Sequence, residues 1–384
     1  MKKVFLVALA AMSLVSCSND EVLDLQKDEI KLNVVTQNAS RANELYNANN
    51  LHKEFYVSAV YKENANDSQY KLYIEKDQIA YENGEWVNKT TEARYWPEDE
   101  NMALDFIASN KPIGLGSPAG LKRFSIPFTI NNDVTKQEDL LYAVAKKQTR
   151  ATNAVSGINL NFRHALSQIV FNARNDNAKL KVEIKDITVA YVSNYADFEF
   201  NLNSEYGTDE QYVKNSMGVG NFYDVAKPLT VSVIKHEPAM TNYTADFEDV
   251  TILGEGTANL TNVDDKLAML LIPQKYEDWT EAEKLNKTEY ANVKKPYLII
   301  DCNMYNIGAK HEIDGNGTAD LVDEYIPVHT GKYYVPFNVE WESGVKYLYT
   351  LIFGIEDMIP TIKYNVTADD WFFAAAVENP VEVK

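Results

Sequence analysis

The chain has 384 residues, 45% of them hydrophobic and 11% aromatic, with a formal net charge of −19. That charge disfavours nucleic acid and anionic lipid headgroups as partners and favours solubility. The length exceeds what one hydrophobic core usually serves, so two domains are expected.

The chain opens with "MKKVFLVALAAMSLVSCSNDEV": Lys2 and Lys3, an apolar run from Val4 to Met12, then small residues. A membrane-spanning helix needs about 20 apolar residues. This run is too short and has the build of a secretory signal peptide, residues 1–16. Its end, "LVSC" (Leu14 to Cys17), resembles the lipobox of bacterial lipoproteins, where cleavage before the cysteine leaves a thiol that carries diacylglycerol. Lipidation of Cys17 would tie the protein to a membrane, since several acyl chains anchor far better than one. Cys302 would then be the only thiol left. That excludes an intrachain disulfide and a cysteine-built metal site, so the core must hold the mature chain together.

In "DEIKLNVVTQNASRANELYN" (28–47), Ile30, Leu32 and Val34 alternate as one face of a β-strand. Directly after it comes "NASRAN", small and polar around Arg41 and Ala42, the composition of an exposed loop that fits a protease cleft. A strand worth burying thus sits beside a segment suited to cutting.

Most of the chain beyond this point reads as strands. Tyr (24) and Phe (15) are abundant. "EFYVSAVY", "YKLYIE", "LKVEIKDITVAYV", "FEFNL", "PLTVSVIK", "PYLIIDCNMY", "GKYYVPFNVEW" and "VKYLYTLIF" alternate apolar with polar residues between turns such as "ENGE", "NNDV" and "DGNG". Leu180, Val182 and Ile184 keep one phase and Ile187, Val189 and Tyr191 another, so either a bulge or a tight turn falls at Lys185-Asp186. "TEAEKL" (280–285) reads as a single short helix. Many short strands with polar turns imply an all-β fold of antiparallel sandwiches. The domain boundary is expected near residue 210, giving units of 42–210 and 211–384.

No catalytic site is legible. His52, His164, His236, His311 and His329 are scattered, without metal-ligand spacing, and no G-x-S-x-G elbow or P-loop is present. "GLGSPAG" (114–120) lacks the strand-loop-helix setting of a nucleotide loop. "DGNGTAD" (314–320) has Ala319 where a calcium loop needs glycine, and reads as a polar hairpin loop. His164, between Phe162 and Leu166, reads as a hydrogen-bonded core histidine rather than a base. No enzyme, cofactor or metal is expected.

Several segments resemble one family, the fimbrillins, lipoprotein-derived pilus subunits of Gram-negative anaerobes. They are "YWPEDENMALDFIAS" (95–109), "DLLYAVA" (139–145), "NLNFRHALSQIVFNA" (159–173), "LAMLLIPQ" (267–274), "GKYYVPFNV" (331–339) and "VTADDW" (366–371). Their order, with the lipobox and the early arginine, spans nearly the whole chain. Pro336 departs from the family pattern and suggests an edge position.

The resemblance implies two stacked transthyretin-like β-sandwiches and export to the outer membrane and cell surface as a lipoprotein. An Arg-specific protease then cuts after Arg41. The cut releases residues 17–41 with a first strand, carried by Ile30, Leu32 and Val34, from a groove that the next subunit's strand refills. Here the donor alternation would be Phe373, Ala375 and Val377, then Val381 and Val383, with Pro380 between. Such edge pairing is β-strand addition. The partners implied are further copies or other pilins of the same fimbrium. Three readings stay open: a polymerising stalk subunit, a tip or adhesin subunit binding a host or glycan ligand, and a lipid-anchored surface protein in which Arg41 is never cut.

Overall fold

The computed structural model describes residues 28–35, 54–114 (save 84 and 92), 124–200, 202, 220–223, 240–261, 267–285, 290, 294–370 (save 314, 317 and 358) and 381–382. The first strands are β1 (Leu32–Val35), β2 (Glu54–Tyr61), β3 (Lys71–Glu82), β4 (Glu85–Asn88), β5 (Leu104–Ser109), β6 (Phe124–Thr129) and β7 (Leu141–Gln148). Next come β8 (Ile158–Asn161), β9 (Arg163–His164), β10 (Ser167–Asn175), β11 (Leu180–Ser193), β12 (Tyr195–Phe200), β13 (Gly220–Tyr223) and β14 (Met240–Leu253). The last are β15 (Gly256–Asn259), β16 (Met269–Leu271), β17 (Tyr297–Ile313), β18 (Ala319–Pro336), β19 (Val345–Glu356), β20 (Ile359–Asp370) and β21 (Val381–Glu382). Among the described residues, the short helices α1 (Arg150–Asn153) and α2 (Glu281–Leu285) and a 3-10 turn at Val134–Lys136 accompany the strands of an all-β fold. The second is the helix expected from "TEAEKL". Thr280 caps it by accepting from Glu283 N, while the Glu283 carboxylate accepts from Thr280 N at 2.8 Å.

The strand order β4-β3-β2-β5-β7-β9 forms a six-stranded antiparallel sheet. Both of its faces are apolar. Phe55, Val57, Phe106, Ala108, Leu141 and Ala143 pack with β1 and β8 on one side. Val60, Ile107 and Tyr142 pack on the other with Phe124 and Ile126 of β6 and Phe198 and Phe200 of β12. The Tyr142 and Phe198 rings lie 4.7 Å apart. Burial on both faces accounts for the near-continuous apolar runs "DFIA" and "LLYAVA", where a one-sided sheet would alternate.

In the second half, β15, β10, β19 and β20 form one sheet, with β16 also on β10. The order β14-β11-β17-β18 forms another, and a shared core lies between the two. The ambiguity at Lys185-Asp186 resolves as a bulge: β11 is one strand whose register slips between Ile184 and Asp186 against both neighbours. Pro336 closes β18, an edge strand, where a missing N–H does least harm. The pairing is antiparallel except for β1 with β8 and β10 with β19.

The pairing does not change sides at residue 210. β10 and β11 precede it, yet their sheet partners all lie at residue 240 or later. β12 then returns to pair with β6, because Phe198 and Phe200 are needed to cover Tyr142.

The slipped register aligns Asp246, Asp186 and Asp301 directly opposite one another on β14, β11 and β17, with Lys332 of β18 next in the row. Burial, then Asp301 and Asp246, hold the Asp186 carboxyl above its ordinary value of 3.8. A raised acid pKa destabilises the fold above that value, with a penalty that grows as pH rises from 3.8 to the raised value. Asp186→Asn should therefore stabilise the protein at neutral pH by roughly 0.5–1 kcal/mol. In urea unfolding that gain should disappear once the pH falls below the ordinary aspartate range.

Candidate functional site

The site is the slot that holds residues 28–35. Its floor is the apolar face of the six-stranded sheet, and two segments grip its edges. First, Ile30 N donates to Arg94 O at 2.7 Å and Trp96 N to Asp28 O at 3.0 Å, with Glu29 bridged to Tyr95. Next, Ile158 N donates to Lys31 O at 2.9 Å, and β1 runs parallel to β8 from Leu32↔Ile158 to Val35↔Asn161. Ile30, Leu32 and Val34 are only 9, 6 and 5% exposed, among Phe55, Trp96, Phe106, Leu160 and Phe162. Burying such side chains stabilises by roughly 1.5–3 kcal/mol each. The strand is thus a seated element of the core.

The 94–96 segment is itself fixed. Arg94 makes a two-pronged pair with the buried Asp77, Nε to Oδ2 and NH2 to Oδ1, both 2.7 Å. Asn88 donates to the same Oδ2 at 2.9 Å, and Tyr73 OH donates to Tyr95 O at 2.7 Å. The bond from Asp77 raises the Arg94 pKa further, so the guanidinium stays charged.

The strand's other edge carries β21. Asn33 pairs with Glu382 and Val34 with Val381, antiparallel. The chain's own C-terminal segment therefore lies against the outer edge of β1.

The residues expected to matter divide unevenly. Ile30, Leu32 and Val34 sit together in the slot, and Val381 is brought to its rim. Cys17, Arg41, Ala42, Phe373, Ala375, Val377 and Val383 lie outside the described residues. His164 is buried and bonded through Nδ1 to the Asp139 carboxylate, a partner 25 residues away that periodicity alone does not pair with it. "DGNGTAD" joins β17 to β18. Among the described residues no cluster of His, Cys, Asp and Glu could hold a metal ion.

A family model described as fimbrillin-like matches residues 40–371. The chain belongs to the fimbrillin-like family. A solved fimbrial protein from Bacteroides vulgatus is 15% identical, with a TM-score of 0.51, covering 89% of this chain and 99% of its own. At that identity the likeness speaks for the fold. A protein from Bacteroides uniformis (12% identity, TM-score 0.41, 90% and 99% covered) is also similar. So is the C-terminally truncated tip fimbrial protein Mfa3 of Porphyromonas gingivalis (8%, 0.36, 89% and 100%). The comparison with curated proteins gave no match.

Four fimbrillin slot residues escaped sequence reading: Asn33, Asp77, Arg94 and Gly157. Asn33 falls in the solvent phase of the alternation, yet it is only 6% exposed. Asp77 and Arg94 carried no signal, being 17 residues apart. Gly157, with φ +74, offered one in "SGIN".

Asp77→Ala should cost roughly 3 kcal/mol, the lower end for a broken buried pair because Arg94 is partly exposed. Hydrogen exchange at the Ile30 amide should accelerate along with the lower urea midpoint.

Proposed function

We propose that this fimbrillin is a structural subunit of surface fimbriae, supporting adhesion, whose first strand is a replaceable plug. The chain travels as a lipoprotein through Cys17 to the outer membrane of a Gram-negative cell. A trypsin-like protease cuts after Arg41, and the plug then leaves its slot to a strand from a neighbouring pilin. The observation that carries this reading is the seat of residues 28–35: Ile30 just ahead of β1 and Leu32 and Val34 on it are buried, with polar, arginine-bearing sequence directly after them.

The physics suits a two-stage assembly. During export the seated plug leaves no bare slot edge to pair with other chains. While the chain is continuous, the plug is tethered beside its slot at high effective concentration. One cut removes that advantage without removing a contact. A longer donor strand can then compete for the same backbone bonds and apolar subsites.

The test is limited trypsin digestion of residues 18–384, followed by non-denaturing gels and N-terminal sequencing. The first cut should fall after Arg41, new material should begin at Ala42, and a ladder of oligomers should appear. Arg41→Ala should abolish both. Removing residues 377–384 should abolish the ladder while leaving the cut. A first cut elsewhere with no assembly would refute the proposal.

A further inference from the structure

The slot contains a polar subsite. The Asn33 amide nitrogen donates to Ser156 O at 2.7 Å and to Asn159 Oδ1 at 3.1 Å. Gly157 makes this approach possible, because a Cβ there would sit 3.0 Å from both terminal atoms of the Asn33 amide. Its φ of +74 also disfavours any side chain. The α1–β8 connection is thus shaped around a side chain of Asn size, between the apolar seats of Leu32 and Val34. Ser156 and Asn159, which supply the acceptors, are themselves exposed, so an occupant that seats aliphatic residues there but brings no donor between them forfeits the net worth of the bond, equivalent to roughly 2- to 12-fold in affinity.

The chain's own C-terminal alternation does not meet that demand. Its apolar-x-apolar triplets are Phe373-Ala374-Ala375, Ala375-Ala376-Val377 and Val381-Glu382-Val383. The middle residues Ala374 and Ala376 have no polar side-chain atom, and an ionised Glu382 only accepts. Val381–Glu382 lie on the opposite edge of β1, outside the slot.

We propose that the slot is selective: it takes a strand with a side-chain hydrogen-bond donor, asparagine or a hydroxyl, at the Asn33 position. It therefore prefers a different subunit's strand to that of a second copy of this chain, which it still accepts, more weakly, when only copies are present. This rests on β1 being replaceable, and the experiment separates the two ideas. The chain is cut between Val35 and Glu54, at Arg41 or at a protease site engineered there. Fluorescent peptides are then titrated in: residues 28–37, the same peptide carrying Asn33→Leu, and residues 373–384. The native-sequence peptide should enter at a concentration severalfold lower than the other two. Equal entry by all three would overturn the selectivity while leaving strand exchange standing. Entry by none would overturn exchange and the selectivity with it. A second measurement uses Asn33→Leu within the chain: after the cut its plug should dissociate severalfold faster than the native one. An unchanged rate would also overturn the proposal.

Discussion

A sheet with two apolar faces has to be covered twice, and much of this molecule derives from that constraint. The six-stranded sheet places Phe106 and Ala108 on one face and Ile107 on the other. One cover is the aromatic pair of strands β6 and β12. The other is thin: β8 has four residues, and β1 beside it another four. Half of a hydrophobic layer therefore hangs on a segment near the N-terminus, held along one edge by β8 and at its entry by residues 94–96.

The grip combines two kinds of interaction with different consequences. Apolar burial of Ile30, Leu32 and Val34 is non-directional, and any aliphatic strand of similar volume could replace it. The Asn33 amide bonds and the close approach of Gly157 are directional and set register. A one-residue slip would turn every side chain to the wrong face. Affinity and register thus reside in different atoms of one short strand.

The two halves are joined through shared core as well as through the chain. Gln137 Oε1, ahead of β7, accepts from Leu270 N of β16 at 2.7 Å, and Gly344 N donates to Leu166 O at 2.9 Å. The core containing Phe124 and Phe198 continues into Phe171, Leu298 and Phe353. The distal part of the β17–β18 hairpin stands apart from this. Beyond Ile307, whose N–H donates to Lys179 O, its strands pair only with each other among the described residues, and Ile313 and Leu321 are 72 and 67% exposed.

The sequence by itself determined the all-β class, most strand positions, the helix at 281–285 and the identity of β1 as an apolar strand. These depend on period, turn residues and capping, all local in the chain. It also carried the family, through motifs in order. Only the tertiary structure decided which strands share a sheet. β10 and β11 precede residue 210 yet pair with strands that begin at residue 240 or later, because partner choice depends on the faces to be covered and not on chain distance. Asn33 shows the limit most sharply: its phase assigns it to solvent, and it is buried because a loop more than 120 residues later folds over it. Asp77 with Arg94 and Asp139 with His164 were invisible for the same reason. A charge carries no local pattern, and its partner is chosen by the fold.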